Sequence, residues 1–163
     1  MTKEQIENKI AGKFGPAVEI QQTKNPEPFI YIRLDRYVEL CQFLKNDPEL
    51  YFEYLFQMGG VHYPGDRFEI VLTLSSHKHK HEMVVKVKLP HDNPKAPTLT
   101  GVWEAANWYE RETMELFGII FEGHPDPRPL LLYDDWEYGY PMRKGWTGPD
   151  FIPMPDKSKG ADD

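Results

Sequence analysis

Proline is distributed unevenly along this chain, and the distribution limits what each part can fold into. Seven of the 15 prolines lie between Pro125 and Pro155. A proline ring fixes φ and removes a backbone donor, so most intervals between these prolines are too short for more than one turn of helix. We therefore predict a folded body over residues 1–122 and an extended, proline-rich C-terminal tail over residues 123–163.

Length and charge exclude several classes of protein. A chain of 163 residues with 40% hydrophobic residues is expected to form one soluble globular domain, and it has no apolar run of membrane-spanning length. The net charge of −7 disfavours nucleic acid as a partner, because phosphate binding requires basic surfaces. The single cysteine, Cys41, excludes an intrachain disulfide. The N-terminus lacks an apolar signal core, which favours the cytoplasm.

Three segments of the body have apolar residues at helical spacing. The first begins at a cap at Thr2 and runs to about residue 14, and the second begins at a cap at Asp35 and runs through residue 44. The third opens at Thr98 and runs to about residue 117, where Gly118 can stop it.

Other segments have the pattern of strands. Residues 18–20, 29–32 and 51–58 are short candidates, the last ending at the glycine pair 59–60. Residues 68–74 and 83–89 form the clearest strands, and the polar link between them fits an antiparallel hairpin. The predicted fold class is α+β: an antiparallel sheet with helices packed on one face, followed by the extended tail.

The link between those two strands contains three alternating histidines, His77, His79 and His81. On a strand this spacing would project three imidazoles from one face, as a zinc or nickel site requires. Lysines alternate with them and oppose a bound cation, so we interpret the link as a solvated turn and keep the metal site as an alternative.

The end of the third helix carries a cluster of charges. Glu110, Arg111, Glu112 and Glu115 lie within two turns, a pattern typical of a surface helix with ion pairs. A catalytic pair of carboxylates would also need a nucleophile, oxyanion donors or a cofactor loop. No glycine-rich phosphate loop, serine-hydrolase elbow or multi-cysteine spacing accompanies the cluster, so an autonomous enzyme is disfavoured.

The tail combines leucine, tryptophan and tyrosine with arginine between its prolines. A disordered segment would be expected to avoid such large apolar residues. The composition instead suits a segment that lies along a surface, since proline reduces the entropy lost on docking. That surface is either the chain's own body or a partner.

These residues resemble the signature of the C subunits of respiratory complex I, a family that includes the thirty-kilodalton subunit of mitochondrial enzymes. The resemblance is strongest over residues 103–144. It is carried by Glu110-Arg111-Glu112, Glu115-Leu116-Phe117, His124, Arg128, Leu130-Leu131, Asp135-Trp136 and Pro141-Met142-Arg143-Lys144. The family commonly has Asp in the position of Glu115.

The resemblance implies a cofactor-free, peripheral-arm subunit of a proton-translocating NADH:quinone oxidoreductase (complex I). Its implied partners are complex I subunits D, B and I, and it scaffolds the D protein, called here the quinone-site subunit. It would lie on the cytoplasmic side of the inner (plasma) membrane and meet the membrane only through the complex. Iron–sulfur clusters, FMN and quinone then belong to neighbouring subunits, and enzyme activity belongs to the complex. This chain would hold no catalytic, cofactor-binding or metal residue.

The resemblance also implies a partner-interface role for the signature residues, through intersubunit and tail-anchoring ion pairs. They are Glu110, Arg111, Glu112, Glu115, His124, Arg128, Arg143 and Lys144. The sequence of residues 126–130 also resembles that of homologues in membrane-bound energy-converting hydrogenases. A complex I relative with a donor other than NADH is therefore the alternative.

Overall fold

The structure, a computed structural model, describes residues 1–21, 29–149 and 151–152. The link between the first two predicted strands and the tail beyond residue 152 lie outside the described residues. The helices described are α1 (Lys3–Phe14), α2 (Tyr37–Asn46) and α3 (Ala106–Phe117). The strands described are β1 (Val18–Gln21), β2 (Phe29–Ile32), β3 (Tyr54–Tyr63), β4 (Arg67–Ser76), β5 (His81–Pro90), β6 (Lys95–Pro97) and β7 (Ile120–Glu122). The α+β class is confirmed.

Helix α1 begins where the sequence predicts it. The Thr2 hydroxyl accepts the N–H of Gln5 at 3.3 Å, and the Gln5 side chain accepts the N–H of Thr2 at 2.8 Å. Two otherwise unpaired backbone donors of the first turn are satisfied in this way. Ile6, Ile10 and Phe14 are buried along one stripe of the helix.

The main sheet is mixed, so the prediction of an antiparallel sheet is wrong in one pairing. Its strand order is β1-β2-β5-β4-β3. The pairs β1–β2, β3–β4 and β4–β5 are antiparallel, but β2 and β5 are parallel, with Ile30 opposite Val85. The chain between β2 and β5 contains α2 and the β3–β4 hairpin, and such a long crossover allows parallel pairing.

Strand β3 continues through the glycine pair that we predicted would end it. It runs from Tyr54 to Tyr63, with a register shift between Leu55 and Gln57. A β-carbon on Gly60 would lie 2.9 Å from the ring of Phe117. This glycine therefore permits α3 to approach the strand and does not interrupt it.

Helices α2 and α3 both begin later than predicted. A short 3₁₀ turn (Leu34–Arg36) precedes α2, and Asp35 does not cap it, because its carboxylate binds the guanidinium of Arg33 at 2.8 and 3.1 Å. Residues 98–105 form turns before α3. The N–H of Leu99 there donates to the Glu110 carboxylate at 2.6 Å, so it has a partner outside a helical ladder.

The core lies between the helices and one face of the main sheet. Ile30, Val85, Leu72 and Met58 occupy matching positions on four neighbouring strands and are all buried. Buried residues of α1, α2 and α3 belong to the same cluster. A second, two-stranded parallel sheet pairs β6 with β7 and was not predicted, because strands of three residues show no periodicity. No helix in the described part of the chain is long and apolar enough to cross a bilayer.

Candidate functional site

Helix α3 directs its charged residues to two sides. Glu110 and Thr113 are buried toward the body, whereas Arg111 and Glu115, four residues apart, share the side that contacts the C-terminal segment, here defined as residues 123–149. The helix ends at Gly118, whose φ of 69° closes the last turn and whose N–H donates to Met114 at 2.9 Å. The described C-terminal segment contains turns and no helix or strand.

Glu110 is fully buried. Its carboxylate accepts the N–H of Leu99 at 2.6 Å and the hydroxyl of Thr98 at 2.5 Å. Burial disfavours the charged form and raises the pKa of Glu110 to about 7, although these two donors oppose the shift. Glu110 therefore fixes the turn before α3.

Glu115 binds the backbone of the C-terminal segment. Its two carboxylate oxygens accept the N–H groups of Leu130, Leu131 and Leu132 at 3.1, 2.8 and 2.6 Å. Hydrogen bonds to a charged acceptor are stronger than those between neutral groups. The contact fixes the path of three consecutive residues after a proline-rich stretch.

Arg111 holds the residues just before those three. Its guanidinium donates to the carbonyl oxygens of Arg128 and Pro129, both at 2.8 Å, and lies 3.9 Å from Asp126. Asp126 in turn accepts two bonds from the exposed guanidinium of Arg128, which lowers the pKa of Asp126 to about 2. Arg111 and Glu115 thus bind adjacent carbonyl and amide groups of one backbone.

His124 links the start of the segment to α3. Its Nε2 lies 3.2 Å from the carbonyl oxygen of Asn107 and 3.9 Å from the Glu110 carboxylate, and its Nδ1 accepts the N–H of Asp126 at 3.0 Å. The side chain is 1% exposed. A neutral ring with its proton on Nε2 satisfies both hydrogen bonds.

Arg143 and Lys144 hold the far end of the segment. The Arg143 Nε donates to the carbonyl oxygen of Phe117 at 2.7 Å, and its guanidinium lies over the rings of Phe68 and Tyr140. A β-carbon on Gly118 would lie 2.5 Å from Tyr140 and 2.6 Å from Arg143, so glycine is needed for this close approach as well as for its φ.

The signature residues therefore differ in what they contact within the described chain. Through their side chains, Arg111, Glu115, His124 and Arg128 bond to groups of the C-terminal segment. Arg143 bonds to Phe117 of α3, and Glu110 bonds to the turn before α3. Lys144 contributes its backbone N–H, which donates to His62. Glu112 makes no hydrogen bond or ion pair with the described part of the chain. The partner-interface role of this set stays a prediction.

Sequence reasoning missed His62, which accepts the N–H of Lys144, and it missed the close approach of Phe117 to Gly60 and of Tyr140 to Gly118. No local pattern indicates His62, because its partner Lys144 lies 82 residues away. The glycines at positions 60 and 118 were the available signal, since each permits a close contact that a side chain would block.

The polar contacts leave several apolar side chains of the segment in solvent. Leu131 is 60% exposed, Tyr133 77% and Met142 54%. The tryptophans of the segment turn inward on each other: Trp136 and Trp146 stack at 6.1 Å and donate to backbone oxygens of Gly139 and Tyr138. The segment is thus bound to α3 through its backbone and exposes several of its apolar side chains.

The three alternating histidines do not converge on one point. His79 Nε2 lies 2.9 Å from the carbonyl oxygen of Pro48, and His81 Nε2 lies 2.6 Å from that of Leu50. His77 instead packs against Tyr54, with ring centroids 5.2 Å apart and the rings tilted by 34°. The nitrogens of His79 and His81 bind the loop before β3, and no group of three or more metal-ligating side chains occurs in the described ranges.

The known proteins of similar sequence include C subunits of NADH-quinone oxidoreductase and of F(420)H(2) dehydrogenase. The family described as "Respiratory-chain NADH dehydrogenase, 30 Kd subunit" matches residues 30–151. The C subunit of NADH-quinone oxidoreductase from Roseiflexus sp. (strain RS-1) is 45% identical over 117 residues, which are 71% of this chain and 67% of the relative. The C subunit of F(420)H(2) dehydrogenase from Methanosarcina mazei is 38% identical over 85% of this chain and 88% of the relative.

Two solved structures share the fold of this chain. The trypsin-resistant fragment of Nqo5 superposes with a TM-score of 0.65 at 28% identity, covering 77% of this chain and 99% of the fragment. A chain of the membrane-bound sulfane sulfur reductase, an archaeal respiratory membrane complex, superposes with a TM-score of 0.75 at 26% identity, covering 88% of this chain and 85% of that one. This chain belongs to the family of the 30-kDa subunit of respiratory-chain NADH dehydrogenase, which is the family of the C subunits of NADH-quinone oxidoreductases.

Proposed function

We propose that this chain is a cofactor-free peripheral-arm subunit of a proton-translocating NADH:quinone oxidoreductase, in which it scaffolds the quinone-site subunit. The observation that carries the proposal is the C-terminal segment, in a member of this family, that is bound through its backbone and exposes apolar side chains. Glu115 and Arg111 bind the backbone, and Leu131, Tyr133 and Met142 are exposed. Subunits B and I are the further partners proposed.

The contacts on α3 support a binding role for the segment. Docking a flexible strand costs conformational entropy, and that cost is lowered when the strand is already held in place. Glu115 fixes three consecutive amides, and Arg111 fixes the two carbonyls before them. The backbone that carries Leu131 is therefore held in a defined path next to Tyr133.

The exposed side chains support a protein partner for the segment. Exposed leucine, tyrosine and methionine within one segment are typical of an interface, and tyrosine is among the residues that contribute most of the binding energy once buried. Asp126 and Arg128 pair with each other, whereas the exposed Asp134, Asp135 and Glu137 beside Tyr133 make no ion pair within the described residues. Burial against the quinone-site subunit would therefore require cationic groups of that partner opposite these carboxylates.

In this proposal the chemistry belongs to the complex. Electrons pass through FMN and iron–sulfur clusters of neighbouring subunits to quinone, and this chain holds the quinone-site subunit in its geometry on the cytoplasmic side of the inner membrane. The chain contributes no active site of its own. Its polar clusters act on its own backbone, as Glu110 does on the turn at Thr98 and Leu99.

The equivalent subunit of a complex I relative with another donor is a second candidate, and this includes membrane-bound energy-converting hydrogenases. Two similarities favour it: the relative from the F(420)H(2) dehydrogenase of Methanosarcina mazei and the membrane-bound sulfane sulfur reductase. Neighbouring genes separate the two candidates. Genes for NADH-binding subunits favour the first, and a hydrogenase large subunit with nickel-binding cysteines favours the second.

Affinity purification from the native membrane tests the proposal. The tagged chain is expected to bring down subunits D, B and I, and its recovery without them would refute the scaffold role. A double variant, Leu131→Ser with Tyr133→Ser, should reduce recovery of the quinone-site subunit. Ile120→Ser is the matched control, because Ile120 is 50% exposed on β7 outside the segment.

A further inference from the structure

Two histidines lie side by side over one aromatic ring at the edge of the main sheet. His62 of β3 stacks on Phe68 with ring centroids 4.5 Å apart, and His91, which follows β5, stacks on the same ring at 5.7 Å. The two imidazoles are inclined by only 26°, and their Nε2 atoms are 3.5 Å apart. His62 is 9% exposed.

One arrangement of protons satisfies every contact of this pair. The N–H of Lys144 donates to Nδ1 of His62 at 3.0 Å, so that nitrogen carries no proton. A neutral His62 then carries its proton on Nε2 and donates it to Nε2 of His91. His91 in turn carries its proton on Nδ1, which lies 3.3 Å from the Asp92 carboxylate.

We propose that His62 and His91 form a proton-sensitive latch, which holds the backbone of Lys144 against β3 only while both rings are neutral. A proton added to His62 must bind Nδ1, where it faces the N–H of Lys144 and breaks that hydrogen bond. A proton added instead to Nε2 of His91 faces the N–H of His62. Either addition replaces an attraction with a repulsion between two donors.

The charges around the pair favour the neutral, closed state near pH 7. Burial lowers the pKa of His62 first, and His91 from the β5–β6 loop and Arg143 and Lys144 from the C-terminal segment lower it further. Asp92 is the one acidic group in contact, among the residues that the structure describes, and it faces the outer nitrogen of His91. The latch is therefore complete above the ordinary histidine pKa of about 6.5 and opens as the pH falls through the lowered pKa.

The same geometry disfavours a metal ion between the two rings. Binding through both Nε2 atoms would move the proton of His62 to Nδ1. That proton would face the N–H of Lys144, just as in the acid form. The donor from Lys144 thus favours a proton sensor over a metal ligand at this position.

Opening the latch would free one attachment of a surface that the proposed function assigns to the quinone-site subunit. Arg143 would keep its bond to the carbonyl oxygen of Phe117, so the release is local. The link to that partner rests on the proposed function, but the latch itself does not. The experiment below uses this chain alone, and its failure would leave the scaffold role untouched.

Nuclear magnetic resonance of the full chain labelled with ¹⁵N tests the latch. At about pH 7.5 the ring nitrogens of His62 should report a neutral imidazole protonated on Nε2. As His62 becomes charged, hydrogen-exchange protection of the Lys144 amide should fall about tenfold or more, while the Leu72 amide in the sheet centre stays protected. A proton on Nδ1 at neutral pH, or constant Lys144 protection through the titration, would overturn the proposal.

Two variants distinguish the latch from a general loss of stability at low pH. In His62→Gln the side-chain oxygen can still accept the Lys144 amide but gains no proton, so the protection should no longer depend on pH between about 7.5 and 5. Persistence of the dependence would contradict the latch. If that variant does not fold, His91→Gln removes one repelling neighbour and should shift the His62 midpoint to higher pH, and an unchanged midpoint would count against the coupling.

Discussion

Replacing Glu115 with alanine tests how the C-terminal segment is held. The carboxylate accepts three backbone N–H groups, those of Leu130, Leu131 and Leu132, at 3.1, 2.8 and 2.6 Å. Alanine is a strong helix former, so α3 should persist in the variant. The expected effect is a local opening of residues 130–132 and not unfolding of the body.

The size of that effect follows from the number and surroundings of the bonds. A hydrogen bond to a charged group contributes about 1.5–3 kcal/mol when well shielded. Glu115 is half-buried and Leu131 is exposed, so about 1 kcal/mol per bond is the appropriate value. Losing three bonds then costs about 3 kcal/mol of local opening free energy, which corresponds to about a hundredfold in exchange protection.

Amide hydrogen exchange of residues 130–132 in the isolated full chain measures this quantity. The Glu115→Ala variant should exchange about a hundredfold faster there, and Glu115→Gln, which retains one oxygen, should fall between the two. Glu112→Ala is the control, because it removes the same charge from the same helix without removing a described bond. Protection within about threefold of the unchanged chain in Glu115→Ala, or an equal loss in Glu112→Ala, would refute the reasoning.

Three further changes test other contacts. Arg111→Ala should reduce the yield of assembled complex more than it lowers the melting temperature of the isolated chain, because the bonds to the segment are lost. An unchanged yield in this variant would contradict the prediction. Arg111→Lys tests whether a forked donor is needed. Because burial raises the pKa of Glu110 to about 7, its contribution to stability is full below about pH 4.5 and is lost as pH rises through about 7, by about 3 kcal/mol. Chemical denaturation across that range should show the fall in the unchanged chain and not in Glu110→Gln. Gly60→Ala should destabilise the fold by about 1–3 kcal/mol, because the new methyl group clashes with Phe117. Gly59→Ala is the control, since its methyl group meets no atom within 4 Å. Equal denaturation midpoints for the two variants would show that α3 moves to accommodate the methyl group and would contradict the prediction.

Local signals were sufficient for several elements. Thr2 and the stripe of Ile6, Ile10 and Phe14 predicted α1, because a cap and an apolar stripe involve residues within a few positions of one another. The alternation of residues 68–74 and 83–89 predicted the β4–β5 hairpin for the same reason. The family signature likewise identified the charged end of α3 and the segment after it.

The sequence by itself determined the family, the α+β class and the division of polar and apolar residues along each element, because these depend on neighbours in the chain. Only the tertiary structure decided which partner each group found. Residues 98–105 form turns, whose Leu99 N–H binds the buried Glu110, and α3 starts only at Ala106. His62 accepts the amide of Lys144 across 82 residues, a contact that no periodicity encodes. Such pairings depend on how distant segments pack, which is why the charges of α3 turned out to hold a backbone.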